Sequence, residues 1–319
     1  MIDPPWFLSD DPAPARTSRL DDARDWRAAQ AELAVKLARA AQALGALEAV
    51  MSGDTGMIRR LALAEVEAML WAEGTPLSRE EIGRDLMAAR AGSDRQVLAK
   101  ARWALRRLEG QADPRQLRSF LALHRVGDAV PAGRATGEAF DAAARDLLSR
   151  LDDAGLHPLT RAAMAVTLWP LTGLSGPEDI AEAASFAARI AAADLTALPF
   201  TPIGQAGRRV WRSQGGSVTD RLDRWLEAAA AAAHHARAEA LRLDGWAARA
   251  RDEVAHVKGD APARVIAALR ATPLMTTEMV AQQIEASRDT AERVLARLHG
   301  MGLIREMTGS RRFRLWSAP

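Results

Sequence analysis

The sequence predicts a mostly α-helical protein: a multi-helix N-terminal body followed by a small C-terminal module of three short helices and a β-hairpin. Three observations carry that expectation. Apolar residues recur at helical spacing through most of the chain, several stretches are rich in alanine, and apolar/polar alternation is confined to the segment from Ala263 to Pro319.

The totals bound the function. A chain of 319 residues has room for two domains and a sizeable core. It contains no cysteine, which removes disulfides, thiolate metal sites and a cysteine nucleophile. Lysine occurs at Lys36, Lys100 and Lys258, so nearly all positive charge is arginine, and the net charge is +2. The start, Met1 to Trp6, lacks the basic and apolar regions of a signal peptide. The longest apolar run, Ala162 to Leu174, contains Thr167 and Pro170 and is too short to span a bilayer. A soluble, cytoplasmic protein without membrane contact is expected.

Taken in order, residues 1–17 are rich in proline and aspartate and read as an irregular arm. Residues 18–110 form an N-terminal helical region. Its first helix has acids in the opening turns and a stripe of Ala28, Leu33, Leu37 and Leu44, and it breaks at Ser52-Gly53-Asp54. A second helix, Met57 to Ala72, has Leu61, Ala64, Ala68 and Trp71 on one face. Ser78 with Glu81 three residues on forms a capping box for the third, and Arg95 to Glu109 makes the fourth. Residues 111–135 are a loop-rich connection holding a short helix, Pro114 to Leu123. Residues 136–258 form a second helical region, with helices at Thr136 to Asp153, Pro158 to Leu168 and Pro177 to Ala193. It ends in a long alanine-rich helix from Val218, striped by Leu222, Trp225, Leu226, Ala229 and Ala233. Lys258-Gly259-Asp260 is the linker to a module at residues 261–319.

In that module Val265, Ile266 and Leu269 mark a first helix, and Val280 and Ile284 a second, entered through Thr276 or Thr277 as N-cap. Ser287 caps a third helix, Arg288 to His299. Ala291, Val294, Leu295 and Leu298 form its inner stripe, while Thr290, Arg293 and Arg297 share the other side, with Arg288 at the end. Leu303 to Met307 and Phe313 to Trp316 read as two strands around the turn Thr308-Gly309-Ser310, with Arg311 and Arg312 at the hairpin tip. This is the pattern of a winged helix-turn-helix. A helix of about 10–12 Å diameter fits a major groove about 12 Å wide. From Ala263 onward nine arginines face five acidic residues, so positive charge collects there. Duplex DNA is the expected partner. Ser287, Arg288, Thr290, Arg293 and Arg297 would face the major groove, and Arg311, Arg312 and Arg314 would meet phosphates or the minor groove. A homodimer would match an inverted-repeat operator.

The body offers no zinc-protease helix, Walker loop or dinucleotide fingerprint, so no catalytic residue, metal ligand or cofactor is assigned. His234 and His235 are adjacent on a helix and diverge by about 100°, which suits exposed histidines better than ligands. His157 precedes Pro158 at a helix start, as a cap would. Arg208, Arg209, Trp211 and Arg212 read as a solvated surface with Trp211 tucked inward, or as an added phosphate or stacking contact.

The segments Thr290-Ala291-Glu292-Arg293, Gly302-Leu303-Ile304-Arg305-Glu306 and Thr308 to Arg314 resemble the winged helix that follows the catalytic core in Fic-family proteins. Trp225 to Ala248 is similar to the long helix joining the two parts, and Glu73-Gly74 to the glutamate-glycine pair of the family's inhibitory helix. The whole chain also resembles an uncharacterised alphaproteobacterial family that joins a domain of unknown function to a C-terminal helix-turn-helix DNA-binding domain. The Fic resemblance implies a loop of the form His-x-Phe-x-Asp/Glu-Gly-Asn-Gly followed by arginine. Here Leu171-Thr172-Gly173-Leu174-Ser175-Gly176-Pro177-Glu178 stands in its place, without histidine or asparagine, and Met69 replaces the serine expected four residues before Glu73. A Fic-like body would therefore have lost its catalyst. The expected function is transcriptional regulation through DNA. The alternatives are a divergent Fic-like nucleotidyl transferase and a partner-binding protein of the toxin–antitoxin kind.

Overall fold

The computed structural model describes residues 20–51, 54–86, 94–121, 133–153, 155–176, 179–207, 210–211, 215–309 and 314–319. Among them the body contains α1 (Ala23–Glu32), α2 (Ala34–Met51), α3 (Thr55–Glu73), α4 (Arg79–Leu86), α5 (Arg95–Leu108), α6 (Leu117–Leu121), α7 (Gly137–Leu151), α8 (Pro158–Leu168), α9 (Ile180–Ala191) and α10 (Val218–Val254). The C-terminal module contains α11 (Ala261–Ala271), β1 (Met275–Thr276), α12 (Thr277–Gln283), α13 (Arg288–Gly300), β2 (Arg305–Glu306) and β3 (Leu315–Ser317). The protein is mostly helical, as its periodicity requires. None of the described helices is long and apolar enough to cross a membrane.

Local chemistry sets most helix ends. Asp22, Asp54 and Asp94 accept hydrogen bonds from the first-turn amides of α1, α3 and α5. Ser78 and Glu81 form the expected capping box, and Ser217 with Asp220 forms another at the start of α10. His157 caps α8 through Nδ1, which accepts from the Leu159 amide at 3.1 Å. Gly74 ends α3 at φ 84°, a left-handed conformation suited to glycine.

Packing then orders the helices. α10 lies along α2, and also touches α1, α8 and α11. α3 runs through the middle, against α5, α9 and the 3₁₀ turn Gly204–Gly207. This central position corrects two sequence expectations. α3 is buried almost all round, so Met57, Leu61, Ala62, Leu63, Val66, Met69 and Leu70 are inside while Trp71 faces out. The predicted first helix divides at Leu33 (φ −95°, ψ 18°), and Trp26 rather than Ala28 turns inward, its indole donating to the Leu20 carbonyl. The α10 stripe is as expected: Leu222, Trp225, Leu226, Ala229 and Ala233 are all buried.

In the module the three strands form an antiparallel sheet in the order β1-β3-β2, with Met275 opposite Trp316 and Arg305 opposite Ser317. β1 was not expected, because two residues leading into a helix cannot show alternation. Val265, Ile266, Leu269, Val280, Ile284, Leu295, Leu298 and Trp316 fill the centre.

The module is fastened to the body at several points. Arg270 on α11 pairs with Asp54 at the head of α3 (2.6 Å) and with Asp244 on α10 (2.5 Å). The Trp246 indole of α10 donates to the Leu303 carbonyl at 2.7 Å. Arg60 on α3 donates to the carbonyls of Leu269 and Thr272, closing the end of α11. Gly56 on α3 lies so close to Ala271 that a Cβ there would overlap the Ala271 carbonyl. Gly56→Ala is therefore expected to lower unfolding free energy by about 1–3 kcal/mol, despite alanine's better helix propensity. A chemical-denaturation midpoint equal to or above that of the unaltered protein would show that α11 does not sit against α3.

Candidate nucleic-acid interface and a sealed polar centre

α13 presents two chemically distinct sides. Ala291, Leu295 and Leu298 are buried and Val294 partly so, which fixes the helix on α11 and α12. The opposite side carries Arg293 and Arg297, both exposed, with Thr290 half-buried, and Ser287 and Arg288 are exposed at the N-terminal end. Ser287 Oγ accepts from the Thr290 amide at 3.2 Å and lies 3.0 Å from Thr290 Oγ1. Arg293 Nη2 donates to the same hydroxyl at 3.2 Å, so Ser287, Thr290 and Arg293 form one connected polar strip. Arg288 pairs with Glu292 at 3.2 Å in a solvated i,i+4 contact.

Beside α13, β2 leads into the turn after Glu306. Burial pushes the Glu306 carboxyl upward, but hydrogen bonds from the Thr308 hydroxyl and the amides of Thr308 and Gly309, together with nearby Arg314, hold it below the usual carboxylate range. These bonds shape the turn from Glu306 to Gly309. Arg314 is exposed on the returning side. Arg311 and Arg312 lie outside the described residues, as do Arg208, Arg209 and Arg212. Trp211 is tucked inward, 5% exposed.

A second polar constellation lies inside the body, around the connection between α8 and α9. Arg134 and Glu182 have no exposed side-chain surface, and Arg134 Nη2 donates to both Glu182 oxygens at 2.6 and 2.5 Å. Ser175 Oγ donates to Glu182 and accepts from the Trp169 indole at 2.9 Å. The backbone closes as well, with the Ala135 amide donating to the Gly173 carbonyl at 2.8 Å. The connection is thus occupied by its own side chains. Next to it Glu73 accepts from the Ala181 amide at the head of α9 (2.7 Å) and from Lys100 Nζ (3.0 Å). Asp179, 3.5 Å from Lys100, is pushed up to about 7 by burial first and then by the charge of Glu182. Glu65, fully buried on α3, accepts from the amides of Ile203 and Gly204, yet burial still lifts its carboxyl to about 7.

The chain shares its fold with a Fic family protein. That protein, from Desulfovibrio desulfuricans G20, matches with a TM-score of 0.51 and 15% identity, over 88% of this chain and 96% of that one. No family model and no curated protein matches the chain. At that identity the likeness concerns architecture alone.

Sequence reading missed Glu65, Arg134 and Glu182. A signal existed for Glu182, the one charged residue in the apolar helical run Ile180 to Ala188, but Glu65 shares Leu61 to Leu70 with Glu67 and could not be told from it. Arg134, in a loop, gave none. Among the described residues no cluster of metal-binding type occurs.

Two outcomes follow. Glu182→Leu leaves a buried guanidinium uncompensated and is expected to cost about 3–5 kcal/mol, whereas Arg134→Met with Glu182→Leu recovers most of it. Equal losses in the single and double variants, measured by denaturation, would separate the two residues. Glu65 keeps its proton to about pH 7 in the folded state, while the unfolded chain releases it near 4.5. The folded state then binds more protons across that window, so this group's contribution falls as pH rises through it. Glu65→Gln, which keeps an acceptor for the two amides, should gain stability over the unaltered protein at pH 8 relative to pH 4. A pH-independent difference in thermal midpoint would show that Glu65 ionises normally.

Proposed function

We propose that the protein is a sequence-specific DNA-binding regulator whose C-terminal module acts as a winged helix, with the helical body serving for dimerisation or for sensing a signal. The observation that carries this reading is the polar side of α13, exposed Arg293 and Arg297 with half-buried Thr290, directed away from the buried stripe of Ala291, Leu295 and Leu298, with Ser287 and Arg288 exposed at the helix start. The element order helix–strand–helix–helix–strand–strand and the sheet order β1-β3-β2 support it, since they set a hairpin beside that helix. In this reading α13 enters the major groove, Arg293 and Arg297 reach base edges or phosphates, and Arg311, Arg312 and Arg314 hold the flanking backbone. Two copies would read an inverted repeat with half-sites a whole number of helical turns apart.

The test is DNA selected from a random pool by the full chain, followed by affinity measurements at several salt concentrations. Arg293→Ala is expected to cost about 1–3 kcal/mol on the selected site if it reads a base. Arg311→Ala with Arg312→Ala should weaken binding to all sequences alike and reduce the salt slope by about 1 per lost phosphate contact. Affinity indifferent to ionic strength, or untouched by all three changes, would defeat the reading.

The shared Fic fold and the approach of Glu73 to the head of α9 favour a second reading, a divergent nucleotidyl transferase. The Trp169–Ser175–Glu182–Arg134 network stands where that chemistry would need a histidine and an open glycine-rich turn. Incubation with labelled nucleotide decides: covalent labelling of this chain or of a second protein would establish the transferase.

A further inference from the structure

A cavity lies at the far end of α8 and α9 from the sealed network, between the end of α7, the start of α8, the end of α9 and the loop that follows it. It measures about 730 Å³ and is open to solvent, within the roughly 300–1,000 Å³ of pockets that hold small organic molecules. The described residues that line it all belong to the body. Its charge is one-sided. Arg115, Arg161 and Arg189 reach the wall, and among the described residues none of them pairs with a carboxylate. Arg189 Nη1 donates to the Arg107 carbonyl at 2.6 Å, while its Nε and Nη2 have no acceptor and are not sealed from solvent. Arg161 Nη2 donates to the carbonyls of Asp153 and Leu156 at 3.2 and 3.4 Å. Arg115 is exposed, and its side chain makes no bond among the described residues. Behind Arg189 the buried Arg107 guanidinium donates only to carbonyls, those of Phe120, Gln111 and Ser119, and the two charges repel one another.

Against these four guanidinium groups stand two carboxylates, Asp152 in the wall and Asp113 near Arg189. Asp152 is exposed to water, and Asp113 already accepts from the Arg115 amide at 2.9 Å. The excess positive charge favours an anion, and a guanidinium with free N–H groups holds a carboxylate or phosphate through charge-assisted hydrogen bonds. The remaining wall is apolar and accessible. Leu148, Ile190, Leu195 and Pro199 are half-buried, and Ala193 beside them is exposed. The loop that bears Leu195 is set in place by Glu48, which accepts from the amides of Thr196 and Ala197. A lone oxyanion would leave this surface bare, whereas an apolar body would cover it at about 25 cal/mol per Å².

We propose that this cavity binds a small amphipathic organic anion, its carboxylate or phosphate held by Arg189 and Arg115 and its apolar body lying on Leu148, Ile190 and Leu195. Such a ligand is the signal a sensing body would receive. Its binding is measured without DNA, so this site and the DNA reading fail separately.

The test titrates the full chain with 1-naphthylacetate, 1-naphthyl phosphate and the uncharged 1-naphthylacetamide, followed by calorimetry and by the fluorescence anisotropy of the naphthyl group. At least one of the two anions should bind saturably, the tighter one identifying the head group, and the amide should bind about tenfold more weakly or not at all. Arg115→Gln, which breaks no internal bond, should weaken binding of the anion by about ten- to a hundredfold at an unchanged thermal midpoint. Arg189→Lys should keep more of the affinity than Arg189→Gln, since the lysine keeps the charge. Ala193→Trp places an indole where the ligand's body would lie and should cost about tenfold or more, again without lowering the midpoint. No saturable binding of either anion, equal binding of the amide, inorganic phosphate bound as tightly as the naphthyl anions, or affinity undiminished by Arg115→Gln and Ala193→Trp would each overturn the proposal.

Discussion

The fold depends on burial of one continuous apolar stripe along α10. At its beginning Leu222, Trp225 and Leu226 are locked among the helices of the body, and at its end Trp246, Ala247, Ala250 and Val254 are buried. The Trp246 indole reaches across to the Leu303 carbonyl, tying the same helix to the C-terminal module. Body and module accordingly share one hydrophobic cluster. Burial of apolar area at about 25 cal/mol per Å² is the largest favourable contribution to such a structure, and here a single element contributes it to both ends of the molecule.

The polar features are arranged against that background. On α13 the arginines remain in water, where their charges cost little and stay available. Inside the body, the Arg134 and Glu182 side chains are wholly desolvated: Arg134 Nη2 and Ser175 satisfy the Glu182 carboxylate, while among the described residues Arg134 Nε and Nη1 find no hydrogen-bond partner. The contrast separates two possible centres of activity. One displays its charge to solvent, and the other has turned its charge inward upon itself.

Much of this was legible in the sequence, for identifiable reasons. Long helices with regular stripes, such as α10, and helices with side-chain caps, such as those begun by Ser78, His157 and Ser287, announce themselves through neighbours in the chain. The inner stripe of α13 was readable for the same reason. Trp71 was misplaced because α3 is surrounded by other helices, and periodicity carries no information when nearly every side is covered. β1 was missed because its pairing with β3 joins residues about forty positions apart. The Arg134–Glu182 pair, forty-eight positions apart, is likewise a product of tertiary folding alone.

The contacts of Arg270 have a mechanical consequence. One guanidinium on α11 grips the head of α3 through Asp54 and the flank of α10 through Asp244, so it acts as a three-way brace. A module held by a tether alone would swivel, and its outward face would sample many directions. Braced in this way, the face moves with the body as one piece. Any two copies joined through their bodies would hold their outer faces at a set separation, like the jaws of a caliper.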